Sequence, residues 1–372
     1  MTATTRARPA DPGVTTPAPR AEAGGKAPRP ATIALPPFAG VVLPWLLSRT
    51  LVAVVVLAAA SAAGRPAGWD AFAAWDGGWY LEIARRGYDF ANADGQTPHP
   101  FFPLLPLILR AAGALGVPMV MAGAVVSHVA LLAAMWGLHS LLARRFPAAV
   151  ASSATWCLAF FPGSAPFSMI YPCAIVLAAS VWAFRQTESG EDSAASGLIA
   201  IAALARPNGF AVALAAAFGA GSMSRARRLV LPAAAVVLLW MGLLWIQTGD
   251  PLAFLTAKAN WHEVTLGSLI AGRDRAPKLD VLSVFPPLLA LAVGWNRLPG
   301  SWRVLVALWL VPPLFLGLVG VPRYVASCFP VFAAFGIALG ARPLWQRAGV
   351  IAVFAPWLAF LTWRIASGRM TP

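Results

Sequence analysis

The chain has 372 residues, of which 59% are hydrophobic and only 11% charged, with a mean hydropathy of +0.70. That balance excludes an ordinary soluble domain, whose surface needs far more charge. Apolar blocks long enough to cross a bilayer point instead to an all-α, polytopic helical membrane protein. The net charge of +14 does not indicate nucleic acid, because the arginines fall in short runs between apolar blocks, as inward-facing anchors do. Short alternating segments are lacking, which argues against a β-barrel.

In chain order, residues 1–32 are rich in Pro, Ala, Thr and Gly and carry Arg6, Arg8, Arg20, Lys26 and Arg29. Such a segment cannot bury a core and is expected to be a disordered cytoplasmic tail, leaving residues 33–372 as one membrane-embedded domain. A first span over residues 38–63 then runs outward. Arg49 lies inside it, and a cation at that depth calls for a partner in the bundle interior. Residues 64–117 form an outer loop expected to carry short amphipathic helices. A second span over 118–142 returns to Arg144-Arg145. Two spans fit over 148–166 and 171–184, followed by a polar cytoplasmic connector over 186–196 with Glu188, Glu191 and Asp192.

Residues 197–220 admit two readings. A single helix would leave Arg225, Arg227 and Arg228 outside. A break at Arg206-Pro207-Asn208-Gly209 returns them to the cytoplasm, and proline and glycine favour the break. Next come a span over 229–247, an outer loop over 249–280, and spans over 281–295, 304–321, 324–340 and 349–363. The expected bundle has about eleven spans. This alternation gathers Asp76, His99, Tyr171, Arg206, Lys258, Trp261 and Arg323 on or near the outer face, a segregation that a plain structural bundle does not require.

The candidate chemistry begins at Trp75-Asp76-Gly77-Gly78-Trp79-Tyr80. Asp76 could cap a short amphipathic helix starting at Gly77 and closed by Gly87, or act as a catalytic carboxylate; spacing leaves both open. Trp75, Trp79 and Tyr80 crowd the same turn, as interfacial anchors also do. His99 precedes an apolar element over 101–106. His128 and His139 sit on a helical face and read as packing residues. The four histidines show no metal-ligand spacing and no glycine-rich nucleotide loop occurs, so no metal or nucleotide site is evident, and the sequence does not say whether a metal assists. Cys157, Cys173 and Cys328 lie in apolar surroundings without paired spacing. Arg206 and Arg323, each beside a proline, are either snorkelling anchors or bidentate ligands for a phosphate. Lys258 poses the same question.

Trp75-Asp76 … Trp79-Tyr80 … Ile83-Ala84 … Gly87-Tyr88, followed by Phe101-Phe102-Pro103-Leu104 … Pro106, resembles the first outer loop of the PIG-V family, GPI mannosyltransferase II and its bacterial relatives. Shorter matches follow in order: Phe161-Pro162-Gly163-Ser164-Ala165 … Tyr171, Ala205-Arg206-Pro207-Asn208-Gly209, Gly249-Asp250-Pro251-Leu252-Ala253-Phe254 and Pro322-Arg323-Tyr324. The resemblance implies a GT-C type glycosyltransferase, in particular a mannosyltransferase, that takes sugar from a polyprenyl-phosphate carrier and passes it to a glycolipid or glycan acceptor. It implies Asp76 as general base, with Arg206, Arg323 and Lys258 on the carrier phosphate and His99 assisting either. Trp75, Trp79, Tyr80, Tyr171, Asn208 and Tyr324 complete the implied substrate-binding set. It also implies a plasma-membrane protein with its site on the outer face and membrane lipids as surroundings. Relatives carry Tyr-x-Glu where this chain has Tyr171-Pro172-Cys173, so acceptor recognition differs here or activity has been lost. The alternative from another class is a non-catalytic lipid-linked-sugar binding protein or transporter using the same arginines.

Overall fold

The computed structural model describes residues 1–2, 36–261, 264–274 and 278–369. The chain divides into Met1–Ile33 and Ala34–Pro372. The expected disordered tail falls almost wholly outside the described residues, and the helices and the site all belong to the second unit.

Among the described residues, every regular element is a helix. A π-turn over Phe38–Val42 leads into α1 (Leu43–Ala62), after which the outer-loop segment carries α2 (Asp76–Arg86) and α3 (Leu104–Ala114). Then come α4 (Met119–Ala143), α5 (Ala148–Phe160), α6 (Cys173–Ser189), α7 (Asp192–Ala205), α8 (Phe210–Phe218) and α9 (Met223–Thr248). Short α10 (Ala253–Thr256) and α11 (Leu266–Ile270) precede α12 (Lys278–Gly294), α13 (Gly300–Leu310), α14 (Pro312–Leu316), α15 (Val321–Ala326), α16 (Phe329–Leu339) and α17 (Leu344–Ala366).

Among the described residues, five helices are long and apolar enough to cross a membrane: Phe38–Ala62, Met119–Ala143, Met223–Thr248, Lys278–Arg297 and Leu344–Ala366. A sixth results if the 3-10 segment Pro162–Ser168 and α6, bent by 101°, count as one. The protein is therefore a multi-pass membrane protein. The expected count of about eleven spans is not reached by length, because the other apolar helices have only 10–17 residues. The stretch over 304–321 breaks at Pro312-Pro313, where two missing N–H groups and their rings stop α13. The expected connector over 186–196 is mostly helix: α6 continues to Ser189, Gly190 turns with φ 79°, and α7 starts at Asp192.

The break foreseen at residues 206–209 is present. Arg206 is extended (φ −155°, ψ 151°) and Pro207–Gly209 forms a 3-10 turn before α8. Gly209 is required there, since a Cβ would lie 1.8 Å from the Ala202 carbonyl oxygen.

The core runs between α4, α6 and α7 and between α5, α16 and α12, with α17 closing against α1. Outward faces of α9 and α12 expose Leu238, Leu239, Ile246, Phe285 and Leu289, as suits helices that meet lipid. Arg49 is buried in α1, and its partners are not carboxylates. Its guanidinium donates to the carbonyls of Ala159 (2.8 Å) and Ser164 (2.9 Å) and to the hydroxyls of Ser164 (3.0 Å) and Ser168 (2.9 Å). It thereby ties α1 to the turn where α5 ends and the 3-10 segment begins.

Candidate active site

The α6–α7 pair sets the axis of the site. α6 starts at Cys173 and ends near Arg144 and Arg145, which hold Ser189 (3.1 Å) and Glu188 (2.9 Å). α7 starts at Asp192, paired with Arg225 (2.8 Å) and Arg228 (3.0 Å), and runs back to Arg206. The arginine-rich turn and the Cys173–Arg206 end thus lie at opposite ends of the hairpin, about 25 Å apart for a helix of α6's length.

At the second end, α2 begins at a strained turn. Trp75 has φ 55° and ψ −120°, the only positive φ at a non-glycine among the described residues. Such a conformation persists only when neighbours over-determine it, and here they do. The Trp75 indole donates to the Ile365 carbonyl at 3.2 Å, and the Asp76 N–H donates to the buried Tyr171 hydroxyl at 3.0 Å. Asp76 is the first residue of α2, and no side-chain cap closes that end of the helix. The capping alternative fails for a clear reason: the carboxylate is committed elsewhere, its Oδ2 accepting from Arg323 Nη1 at 2.8 Å across 247 residues of sequence. Gly87 does close the helix, with φ 83°.

Arg323 reaches Asp76 because α15 is clamped. The Gly320 N–H ahead of it donates to Asp280 Oδ2 (2.9 Å), and Trp309 donates to the Tyr324 carbonyl (2.9 Å). Pro322 packs on Gly163 so closely that a Cβ on that glycine would stand 2.4 Å from the Pro322 oxygen. The guanidinium carbons of Arg206 and Arg323 lie 4.9 Å and 5.5 Å from the centre of the Tyr324 ring, a cation–π arrangement that holds two like charges near one another. Arg206 Nη1 also contacts Cys173 Sγ at 2.8 Å. Burial is the largest single influence and opposes the Arg323 charge, but its neighbours together, Asp76 first among them, hold the guanidinium above its ordinary pKa.

These groups open on a cavity of about 440 Å³ lined by Asp76, Tyr80, Arg206, Asn208, Lys258, Trp261, Arg323 and Tyr324. Three cations face one carboxylate. Most of the remaining lining is apolar, including Ala211, Leu214, Phe254, Leu255, Leu308 and Pro312. Burial raises the Tyr80 hydroxyl pKa, so that it remains a neutral phenol.

The remaining expected residues stand apart from this cavity. Trp79 lies between Phe90 and Phe101, its ring stacked near-parallel with each at 5.6 Å and 5.5 Å. Trp75 is turned toward Ile365, and Tyr171 sits behind Asp76 as its support. His99 is paired with Thr97 Oγ1 at 2.9 Å, and burial lowers its pKa below the ordinary histidine value. The sequence places Trp261 near the outer face without a site role and reads Cys173 as a lost acid; the structure puts Trp261 in the cavity lining and the Cys173 sulfur against Arg206. Neither contact can be read from local sequence.

Fold and site together define a multi-pass, all-α membrane protein with an acid–arginine pair at the wall of a half-apolar cavity. No family model matches the sequence, and neither does any curated protein. Solved structures of the Archaeoglobus fulgidus oligosaccharyltransferase are similar in backbone. One, tethered with an acceptor peptide containing the NVT sequon, is 14% identical, with TM-score 0.45 over 87% of this chain and 55% of that one. Another, in complex with an inhibitory peptide and a dolichol-phosphate, is 14% identical, with TM-score 0.43 over 87% and 55%. This chain spans about half the length of those structures.

Proposed function

We propose that the chain is a polyprenyl-phosphate-sugar-dependent glycosyltransferase of GT-C type, related to the PIG-V family. It would transfer a hexose, mannose in the first instance, to a lipid-linked or cell-envelope acceptor on the outer face of the plasma membrane. The observation that carries this reading is the Asp76–Arg323 pair in a cavity that Arg206 and Lys258 also line and whose remaining lining is largely apolar. An anionic headgroup on an apolar chain needs cations at one end and a greasy wall at the other. A nucleotide needs a different cradle.

In the reaction, Asp76 accepts the proton of the acceptor hydroxyl. The hydroxyl oxygen bonds to the anomeric carbon as the bond from that carbon to the phosphate oxygen breaks. The carrier leaves as a phosphomonoester with one more negative charge than it brought, and the excess of two cations over carboxylate in the cavity stabilises that change. Arg323 bridges both roles, holding Asp76 in place while facing the departing phosphate. The outer-face placement is supported by the hairpin geometry: the arginine-rich turn of α6–α7 belongs inside by charge, and Cys173 and Arg206 lie at its other end.

The test is transfer from lipid-phosphate mannose to a panel of glycolipid acceptors. Asp76→Asn should lower the rate about 10²–10⁴-fold while lipid-phosphate binding persists. Undiminished transfer would remove Asp76 from its role, and binding by the wild type without transfer to any acceptor would favour the transporter or binding-protein alternative.

A further inference from the structure

Buried polar atoms without partners are rare, and each calls for an explanation, such as strain, a water or ion, or a ligand. Ten such side-chain atoms occur among the described residues, and four belong to residues lining the cavity at Asp76: Asn208 Nδ2, Asn208 Oδ1, Trp261 Nε1 and Arg323 Nε. The other six are on Ser153, Trp240, Asp280, Arg347, Thr362 and Arg364, none of which lines it. The Arg323 atom fits the phosphate already assigned to the site. Of the other three, the two N–H donors suit an oxygen of either kind, but Asn208 Oδ1 is an acceptor and does not suit an anion. An amide presents a donor and an acceptor side by side, and an indole presents a donor at the edge of a flat apolar ring. An acceptor oxygen beside a donor repels phosphate, but the set matches neighbouring hydroxyls on a sugar ring, each of which both gives and takes a hydrogen bond.

Both residues are held where a ligand can meet them. Asn208 sits in the 3-10 turn that Gly209 makes possible, two residues from Arg206. Trp261 is braced by Trp79 at 5.2 Å and Phe101 at 5.7 Å. Neither can easily turn to find another partner.

We infer that Asn208 and Trp261 form the sugar-reading end of the cavity, the amide and the indole N–H engaging hydroxyls of the neutral hexose carried by the phosphate. The inference rests on the proposed function and assigns to this chain a selectivity element distinct from the phosphate-binding cations. It makes recognition of the carrier and recognition of the sugar separable.

The full-length chain in detergent is tested with three probes: dodecyl phosphate, dodecyl mannosyl phosphate, and phosphate-free octyl mannoside. Trp261→Phe keeps an aromatic ring and deletes the N–H; Asn208→Ala deletes the amide. Each should weaken dodecyl mannosyl phosphate about tenfold and leave dodecyl phosphate within about twofold. Equal weakening of both phosphates would place the residues on the phosphate and overturn the inference, as would no weakening of either. A loss confined to octyl mannoside would assign the pair to the acceptor and overturn the donor assignment. If the wild type binds neither phosphate probe, the proposed function itself fails. If it binds both and the variants match it, only the sugar-reading role is lost.

Discussion

Replacing Gly163 with alanine tests the assembly of the site from outside it. The new Cβ would stand 2.4 Å from the Pro322 oxygen and 2.5 Å from its carbonyl carbon, both backbone atoms. Comfortable contact is about 3.5 Å, so one segment must yield by about 1 Å. The Gly163 side is pinned by Arg49 through Ser164 (2.9 Å and 3.0 Å). The six-residue α15 is clamped by fewer bonds, from Gly320 to Asp280 and from Trp309 to the Tyr324 carbonyl, than the four Arg49 makes on the other side, so α15 should move. A retreat of that size stretches the 2.8 Å Asp76–Arg323 bond beyond hydrogen-bonding reach. The expected outcome is a stability loss of about 1–3 kcal/mol and, with base and phosphate ligand misplaced, transfer lowered about 100-fold. Thermal unfolding of the purified protein in detergent and mannosyl transfer from a lipid phosphate measure the two effects. Unchanged melting with full transfer would refute the close approach of Gly163 to Pro322, and with it the account of how Arg323 is placed.

The same contacts yield three further expected outcomes. Trp75→Gly should be more stable than Trp75→Ala by about 1–2 kcal/mol, because both lose the indole and only glycine accepts φ 55° without strain; chemical denaturation of the two compares them directly. Arg49→Met should cost about 2–4 kcal/mol by orphaning the carbonyls of Ala159 and Ser164, and Arg49→Lys should recover only part of it, as thermal shifts will report. Cys173→Ala should raise KM for the lipid-phosphate sugar several-fold with little change in kcat, because Arg206 loses a contact that orients it; Cys173→Ser, which keeps an acceptor there, should fall between.

Long apolar blocks make α1, α4, α9 and α17 legible in the sequence, since twenty or more such residues have few other places to be. The break at Arg206-Pro207-Asn208-Gly209 is legible for a local reason too: proline and glycine say where a helix stops. The same rule applied at Pro312-Pro313 splits the stretch over 304–321, where hydrophobicity summed over the whole stretch hides the prolines. The Asp76–Arg323 pair cannot be read from spacing, because nothing local links residues 247 positions apart. Topology can place both on one face, but only packing through Gly163 and Tyr171 brings them into contact. Cys173 reads in the sequence as the loss of an acid; in three dimensions its sulfur lies against Arg206. Position, not residue class, carries that information.

The half-length helices give Arg49 a further meaning. α5, with 13 residues, is about 20 Å long, short of the roughly 30 Å of hydrocarbon in a bilayer. Its last turn is buried in the bundle, with Ala159 and Ser164 fully enclosed, so the carbonyls there cannot turn to water. Arg49 supplies donors at that point, on Ala159 and Ser164, and so serves as a fixed substitute for solvent. A chain can end a helix inside a packed bundle when it brings its own hydration, and the turn so stabilised carries Tyr171 to the back of Asp76.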